Sequence, residues 1–358
     1  MRRLGITAVV ALVVAAGFFA VGRGAVPCDV LAAQPACQVA VQPGPSEDAL
    51  PLVTVDGTTV HPPAGGELRM TTIAVHEDLG WWEWARWRGS AVTEVVPREA
   101  VFPVDEDRED TTERNAAAMA ESQLVATVAA LRHLGHQLPG EGARVVGHAE
   151  DTAAEAVEVG EVVTAVDDVE VAESRDAVEA VSARTPGEVL TLTLRGEDGA
   201  SRELEVTTGA APDDPERAYL GVLLVTELEL PVDVDIDTGV VGGPSAGLVF
   251  ALAIVELLQA EDLLDGRVVA GTGTVTADGE VGAVGGVPQK LAGVTTGIGG
   301  PPAEVFVLPR ANLAEARRAV VGEDVLLVPV DDLGQAVEAL RALRDGRTPE
   351  RSEVLAAG

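Results

Sequence analysis

Two residues of this chain combine into reactive chemistry, a serine and a lysine. Ser245 stands in Gly242-Gly243-Pro244-Ser245-Ala246-Gly247, and an apolar run over 246–259 follows it. That run has almost no polar face and predicts a helix buried on all sides. Glycines before it let a substrate backbone approach closely. A helix start presents N–H groups without internal partners, and its dipole favours negative charge. These features suit the oxyanion of an acyl transfer. Without a base, the same serine would only cap the helix.

A serine hydroxyl needs a base to become a nucleophile. The five histidines are His61, His76, His133, His136 and His148, so none follows Ser245. A Ser-His-Asp triad inside a C-terminal domain is therefore excluded, and the Ser-x-x-Lys pattern is absent. His133 and His136 are read as a helix end rather than a metal pair. No metal and no cofactor are expected. The base that is left is Lys290, in Gly285-Gly286-Val287-Pro288-Gln289-Lys290-Leu291. It is the only lysine of the chain; every other residue among the 25 Lys and Arg is arginine. Arginine keeps its proton in a protein, whereas a buried lysine can release one. Pro288 suits the first position of a helix. Lys290 then lies in the first turn, where dipole and burial both disfavour the charged amine.

The rest of the chain must position this pair. Apolar residues make up 47 % and aromatics 3 %, so the cores must be built from Ala, Val and Leu. A net charge of −33 argues against nucleic-acid binding, which needs a basic footprint. The fold class expected is α+β, in segments. Residues 1–22 carry Met1-Arg2-Arg3 and then the apolar run Leu4–Val21, read as an uncleaved membrane anchor with the bulk of the chain outside; the alternative is a signal sequence, for which Ala20-Val21-Gly22 offers a small-x-small cleavage site. Residues 23–137 form an N-terminal extracytoplasmic region. There Cys28 and Cys37 are a candidate disulfide. All four tryptophans, Trp81, Trp82, Trp84 and Trp87, fall in one segment. They are read as the apolar face of a helix packed on its own domain, with a membrane-interface seat as the alternative. The stretch 105–113 reads as a solvated acidic loop, and 115–134 as a helix ending at Gly135.

Residues 138–212 read as strands at 145–146, 162–166 and 189–194, with a helix over 174–183 and a turn at Pro186-Gly187. With Gly160-Glu161-Val162-Val163, Thr185-Pro186-Gly187-Glu188-Val189 and Arg195-Gly196, this order resembles a PDZ domain. The resemblance implies binding of an extended peptide at a sheet edge. The family's Pro-Gly-Asp is Val159-Gly160-Glu161 here. Residues 217–345 carry strands at 219–226, 232–236, 268–270, 282–284, 305–308 and 325–328. Helices are expected over 246–259, 288–296, 313–320 and 334–343, and residues 346–358 are a tail.

Residues 217–345 resemble the proteolytic domain of Lon peptidases. Gly243-Pro244-Ser245-Ala246-Gly247 matches their nucleophile motif. Gly271-Thr272-Gly273 and Gly285–Leu291 match the segment carrying the lysine, and Pro309-Arg310-Ala311-Asn312 the downstream Pro-x-x-Asn element. The resemblance implies Ser245 as nucleophile, Lys290 as general base, and Thr272 holding the lysine. Gly243, Pro244 and Gly247 support the turn. Two positions depart from the family: Gly242 and Thr274 stand where relatives carry acids. The order anchor, PDZ, Lon-like resembles PDZ-containing Lon-like membrane peptidases. It implies a serine endopeptidase at the cell membrane, extracytoplasmic, acting on accessible protein or peptide segments and assembling as a homo-oligomeric ring. No ATP is expected, since a phosphate-binding loop needs Gly-Lys-Ser/Thr and the one lysine precedes Leu291. The competing expectation is a tethered peptide-binding scaffold whose Lon-like part is inert.

Overall fold

The computed structural model describes Cys28 and residues 34–102, 108–149, 152–196, 198–239 and 241–357. The expected anchor over 1–22 lies outside the described residues. Among the described residues no helix is long and apolar enough to cross a membrane. The chain forms two compact units. One holds the chain up to Gly135 together with Val232 onward, and the other is His136–Pro231.

The first unit begins with β1 (Gln38–Asp48), β2 (Val53–Asp56), β3 (Glu67–His76), α1 (Trp81–Trp87), β4 (Glu94–Pro97) and α2 (Arg108–His133). The second contains β5 (Gly140–His148), β6 (Val162–Val166), β7 (Val169–Glu170), α3 (Ser174–Ser182), β8 (Val189–Arg195), β9 (Ser201–Thr207), β10 (Gly209–Ala211), β11 (Asp214–Tyr219) and β12 (Val222–Leu228). The chain returns to the first unit with β13 (Asp233–Ile236), α4 (Gly247–Leu258), β14 (Val268–Gly271), β15 (Thr274–Val275), β16 (Val281–Gly282) and α5 (Val287–Thr295). It closes with β17 (Val305–Pro309), α6 (Leu313–Ala316), β18 (Val325–Val330), α7 (Leu333–Arg344) and β19 (Glu353–Leu355).

Seven strands form one mixed sheet in the order β19-β18-β17-β14-β3-β1-β4. The run β3-β14-β17-β18 is parallel, and the flanking pairs are antiparallel. Successive residues of β17 point to opposite faces. Val305 and Val307 join a core containing α2, α4 and α7, whereas Phe306 and Leu308 join one containing α5. A sheet covered on both faces explains why these strands read as unbroken apolar runs. α4 is buried from Gly247 to Leu257.

The segment boundaries differ from those expected. Residues 38–135, read as a region apart, belong to the same unit as the C-terminal residues, and their strands β1, β3 and β4 complete the sheet of β14, β17, β18 and β19, β3 being the parallel partner of β14. β12, read with the C-terminal domain, pairs with β5 in the second unit. The boundary therefore falls at Pro231–Val232 rather than between 212 and 217. Part of the tail forms β19 on β18, tied by the ion pair of Arg317 with Glu353. The acidic stretch is helical from Arg108, with Thr111 buried; packing of the helix face outweighs its charge. The tryptophans do sit on a helix, but none of its residues is buried. Cys28 and Cys37 are joined in a disulfide, their Cα atoms 5.6 Å apart.

The second unit holds a six-stranded sheet following β12-β5-β6-β8-β9, with β7 on β6, and a two-stranded sheet of β10 and β11. α3 packs on it over a core of Val163, Val166, Ala177, Leu190, Leu192 and Leu194. The expected helix 174–183 and turn at Gly187 (φ +91°) both occur.

Candidate active site

The chain leaves β13, reaches Gly243 at φ +94°, and makes a 3₁₀ turn over Pro244–Ala246 that runs straight into α4. Only glycine adopts that φ without strain. Ser245 is the half-buried middle residue of the turn. Two elements clamp it. From α2, Asn115 O accepts the Gly243 N–H at 3.0 Å, and Ser122 Oγ donates to Pro244 O at 3.2 Å. A Cβ at Gly247 would lie 2.8 Å from Ser122 Oγ, which explains the glycine. From the loop after β14, Gly273 N–H donates to Ser245 O at 2.9 Å, and Thr272 Oγ1 donates to the same oxygen at 3.1 Å. Gly273 O in turn accepts the Leu248 N–H at 3.0 Å.

Lys290 comes from the opposite face of the sheet. Gly286, at φ +71°, caps α5, and Pro288 occupies its first turn. Lys290 is 3 % exposed. Its Nζ lies 2.8 Å from Ser245 Oγ and 2.8 Å from Thr272 Oγ1. Thr272 is fully buried, and its hydroxyl proton is directed at Ser245 O, so its lone pairs face the amine. Burial lowers the Lys290 amine from 10.5 to about 8, against a smaller upward pull from Glu315. A neutral amine at this distance can take the serine proton. The expected pair, its supporting threonine and the glycines of the turn are thus gathered at one place.

Asn312, in the Pro-x-x-Asn element, grips the loop ahead of Lys290. Its Nδ2 donates to Val284 O and its Oδ1 accepts the Val284 N–H, both at 2.9 Å. Nδ2 also donates to Glu315 at 3.0 Å. The sequence marked this asparagine by resemblance without giving its task. It gave no sign of Asn115 and Ser122, which lie on a helix read as part of another region.

That rearrangement also changes the argument about histidine. His61, His76 and His133 belong to the same unit as Ser245, so domain membership does not exclude them. Each is engaged elsewhere. The backbone N–H of His61 bonds Leu257 O, which places this residue at the far end of α4 from Ser245; the His76 ring packs against Trp87, and His133 lines a cavity with Arg310 and Gly334. Among the described residues no group of three His, Cys, Asp or Glu is placed to hold a metal ion.

Comparison with known proteins fits this geometry. Residues 229–340 match the family model of the Lon protease (S16) C-terminal proteolytic domain. A Lon protease 1 of Herpetosiphon aurantiacus is 41 % identical over 104 residues, which is 28 % of this chain and only 12 % of that protein. Ser245, Thr272, Lys290 and Asn312 fall inside the Lon-type stretch, whereas Asn115 and Ser122 fall outside it. Among solved structures, the PDZ domain of an SdrC-like protein from Listeria innocua covers 23 % of this chain and 92 % of its own, at 18 % identity and TM-score 0.21. Its counterpart from Listeria monocytogenes covers 25 % and 93 %, at 13 % identity and TM-score 0.22.

The second unit carries a groove of its own. Between α3 and β12 lies an apolar cavity of about 120 Å³ lined by Val163, Val166, Ala177, Val181, Leu192 and Leu224. β12 ends its sheet, so one edge of the strand is unpaired within that sheet.

Proposed function

We propose that this chain is an ATP-independent serine endopeptidase using a Ser245–Lys290 dyad. The observation that supports it most is the 2.8 Å approach of a buried lysine amine, lowered to about 8, to a half-buried serine hydroxyl in a Lon-type stretch. Neutral Lys290 takes the proton of Ser245 Oγ, which attacks the substrate carbonyl. The oxyanion forms at the positive end of the α4 dipole. The Lys290 ammonium then protonates the leaving amine, and the acyl group stays on Ser245. A water, deprotonated by Lys290, hydrolyses that ester and restores the serine. Thr272 orients the amine throughout.

The 358 residues contain no Gly-Lys-Ser/Thr, and this supports cleavage without ATP. Substrates are then segments already exposed, since nothing in this mechanism pulls a fold apart. The second unit is read as a PDZ domain that seats an extended segment along β12, with apolar side chains in the groove beside α3. The run Leu4–Val21 behind two arginines supports an anchor in the cell membrane, with the catalytic unit outside.

The test is cleavage of casein by the detergent-solubilised full chain without ATP. Wild type cleaves, and Ser245→Ala and Lys290→Arg do not. Cleavage retained by Lys290→Arg overturns the dyad, and no cleavage by wild type favours the inert scaffold.

A further inference from the structure

α1 is seven residues long and carries all four tryptophans of the chain. None of its residues is buried, and Trp82 is 78 % exposed. The other three indoles are held in place. Trp81 and Trp84 pack edge to face with centroids 5.5 Å apart, the Arg88 guanidinium lies 4.7 Å from the Trp84 ring, and Trp87 meets His76 at 5.1 Å. The result is one bare indole, Trp82, standing on an ordered set of three half-buried ones. An indole has an apolar body and a polar N–H, and it concentrates where one end is apolar and the other wet, as at the headgroup level of a bilayer.

The path of the chain ties this surface to the apolar N-terminal run. Trp84 Nε1 donates to Gln38 Oε1 at 2.6 Å, next in sequence to Cys37. Cys37 is bonded to Cys28, with Cα atoms 5.6 Å apart. Cys28 follows Val21, the end of the apolar run, by only a few residues, a stretch that extends to ~25 Å at most. The disulfide thus shortens the path by removing the 28–37 loop from it. A short tether of this kind gives a high effective concentration, so a modest aromatic contact suffices to seat the helix.

We propose that α1 is a second membrane contact, its tryptophans lying in the headgroup layer of the bilayer that the N-terminal run enters. This rests on the anchor reading above. A net charge of −33 disfavours anionic lipid, so the surface fits a zwitterionic phosphatidylcholine bilayer through its indoles rather than through charge.

The tryptophan emission of the chain reports α1 and nothing else, which makes the test direct. The full chain is reconstituted into phosphatidylcholine vesicles, plain or brominated either high on the acyl chains or near their ends. The expected result is that protein floats with the vesicles, its emission moves to shorter wavelength, and shallow bromines quench it more than deep ones. Trp82→Ser, a change at an exposed side chain, still floats and still cleaves casein in detergent, but loses most of the quenching. Protein that floats with emission indifferent to bromine overturns the inference and leaves the anchor standing. A shift to shorter wavelength that follows protein concentration, without bromine quenching, means that α1 meets a second copy and also overturns it. Protein that does not float refutes the anchor, and the inference with it.

Discussion

The two ends of α4 each lie against a buried ionisable group, and only one of them is arranged for chemistry. At the N-terminal end Lys290 is 3 % exposed, and at the C-terminal end Glu256 is 1 % exposed. Both are pushed toward neutrality chiefly by burial, the amine down to about 8 and the carboxyl up to about 7. The helix dipole acts in the same sense at both ends, disfavouring a cation at the first and an anion at the second. The partners differ. Lys290 faces two hydroxyls, Ser245 and Thr272. Glu256 accepts the Leu263 N–H at 3.0 Å and closes the loop after the helix. A displaced titration therefore does not by itself mark a site; a partner with a proton to exchange does.

Substitutions can break this contrast. The largest effect is expected at the first end. Lys290→Arg keeps a positive charge and removes the base, and should lower kcat/KM by at least about 10³-fold with circular dichroism unchanged. Lys290→Met removes a buried charge along with the activity. The fall from 10.5 to about 8 corresponds to about 3 kcal/mol of cost in the charged form. Below pH 8 both the folded and the unfolded chain hold the proton, and the folded state bears the full cost. Between pH 8 and 10.5 the folded state gives up its proton first, and stability rises. Urea melts should therefore show Lys290→Met more stable than wild type at pH 7, with the gain shrinking toward pH 10.5.

Glu256→Gln should mirror that behaviour with activity intact. The folded carboxyl holds its proton up to about pH 7 and the unfolded one only to 4.5, so wild-type stability falls as pH rises between them. The variant should gain about 2 kcal/mol above pH 7 and nothing below 4.5, part of the gain being offset by a weaker acceptor for Leu263. Equal loss of activity in Glu256→Gln and Lys290→Arg would erase the contrast. The smallest effect is expected at Ser122→Ala, which frees Pro244 O at the edge of the first site. It should cost about 1 kcal/mol of stability and lower kcat more than it raises KM.

The sequence made the reactive pair legible because each member is rare in its setting. Ser245 follows two glycines and precedes a run with no polar face, and Lys290 is the single lysine. Most elements from β13 to α7 were legible for a related reason: a sheet covered on both faces writes itself as apolar runs between glycine turns; the two-residue β15 left no such run, and α6 stops at Ala316 instead of reaching 320. What local pattern does not record is which strand pairs with which. β3 and β14 are parallel partners far apart in the chain, as in the pairs Glu67 with Val268 and Met70 with Gly271, and the Gly271 carbonyl also accepts the Thr71 hydroxyl. α2 was visible as a helix, yet nothing in its composition says that Asn115 and Ser122 hold the turn of Ser245. Trp82 was misread because an apolar helix face usually packs inward, and sequence does not show when a domain leaves one bare.

The base itself is tested most directly by the pH dependence of acylation. A peptidyl phosphonate ester is added to the full chain in detergent from pH 6 to pH 10, and the rate of modification of Ser245 is followed by intact mass. The account predicts a rate that rises with pH through a midpoint near 8, where Lys290 loses its proton, and no modification in Lys290→Arg. A midpoint near 6.5, the range of a histidine, or modification that persists in Lys290→Arg, would contradict it.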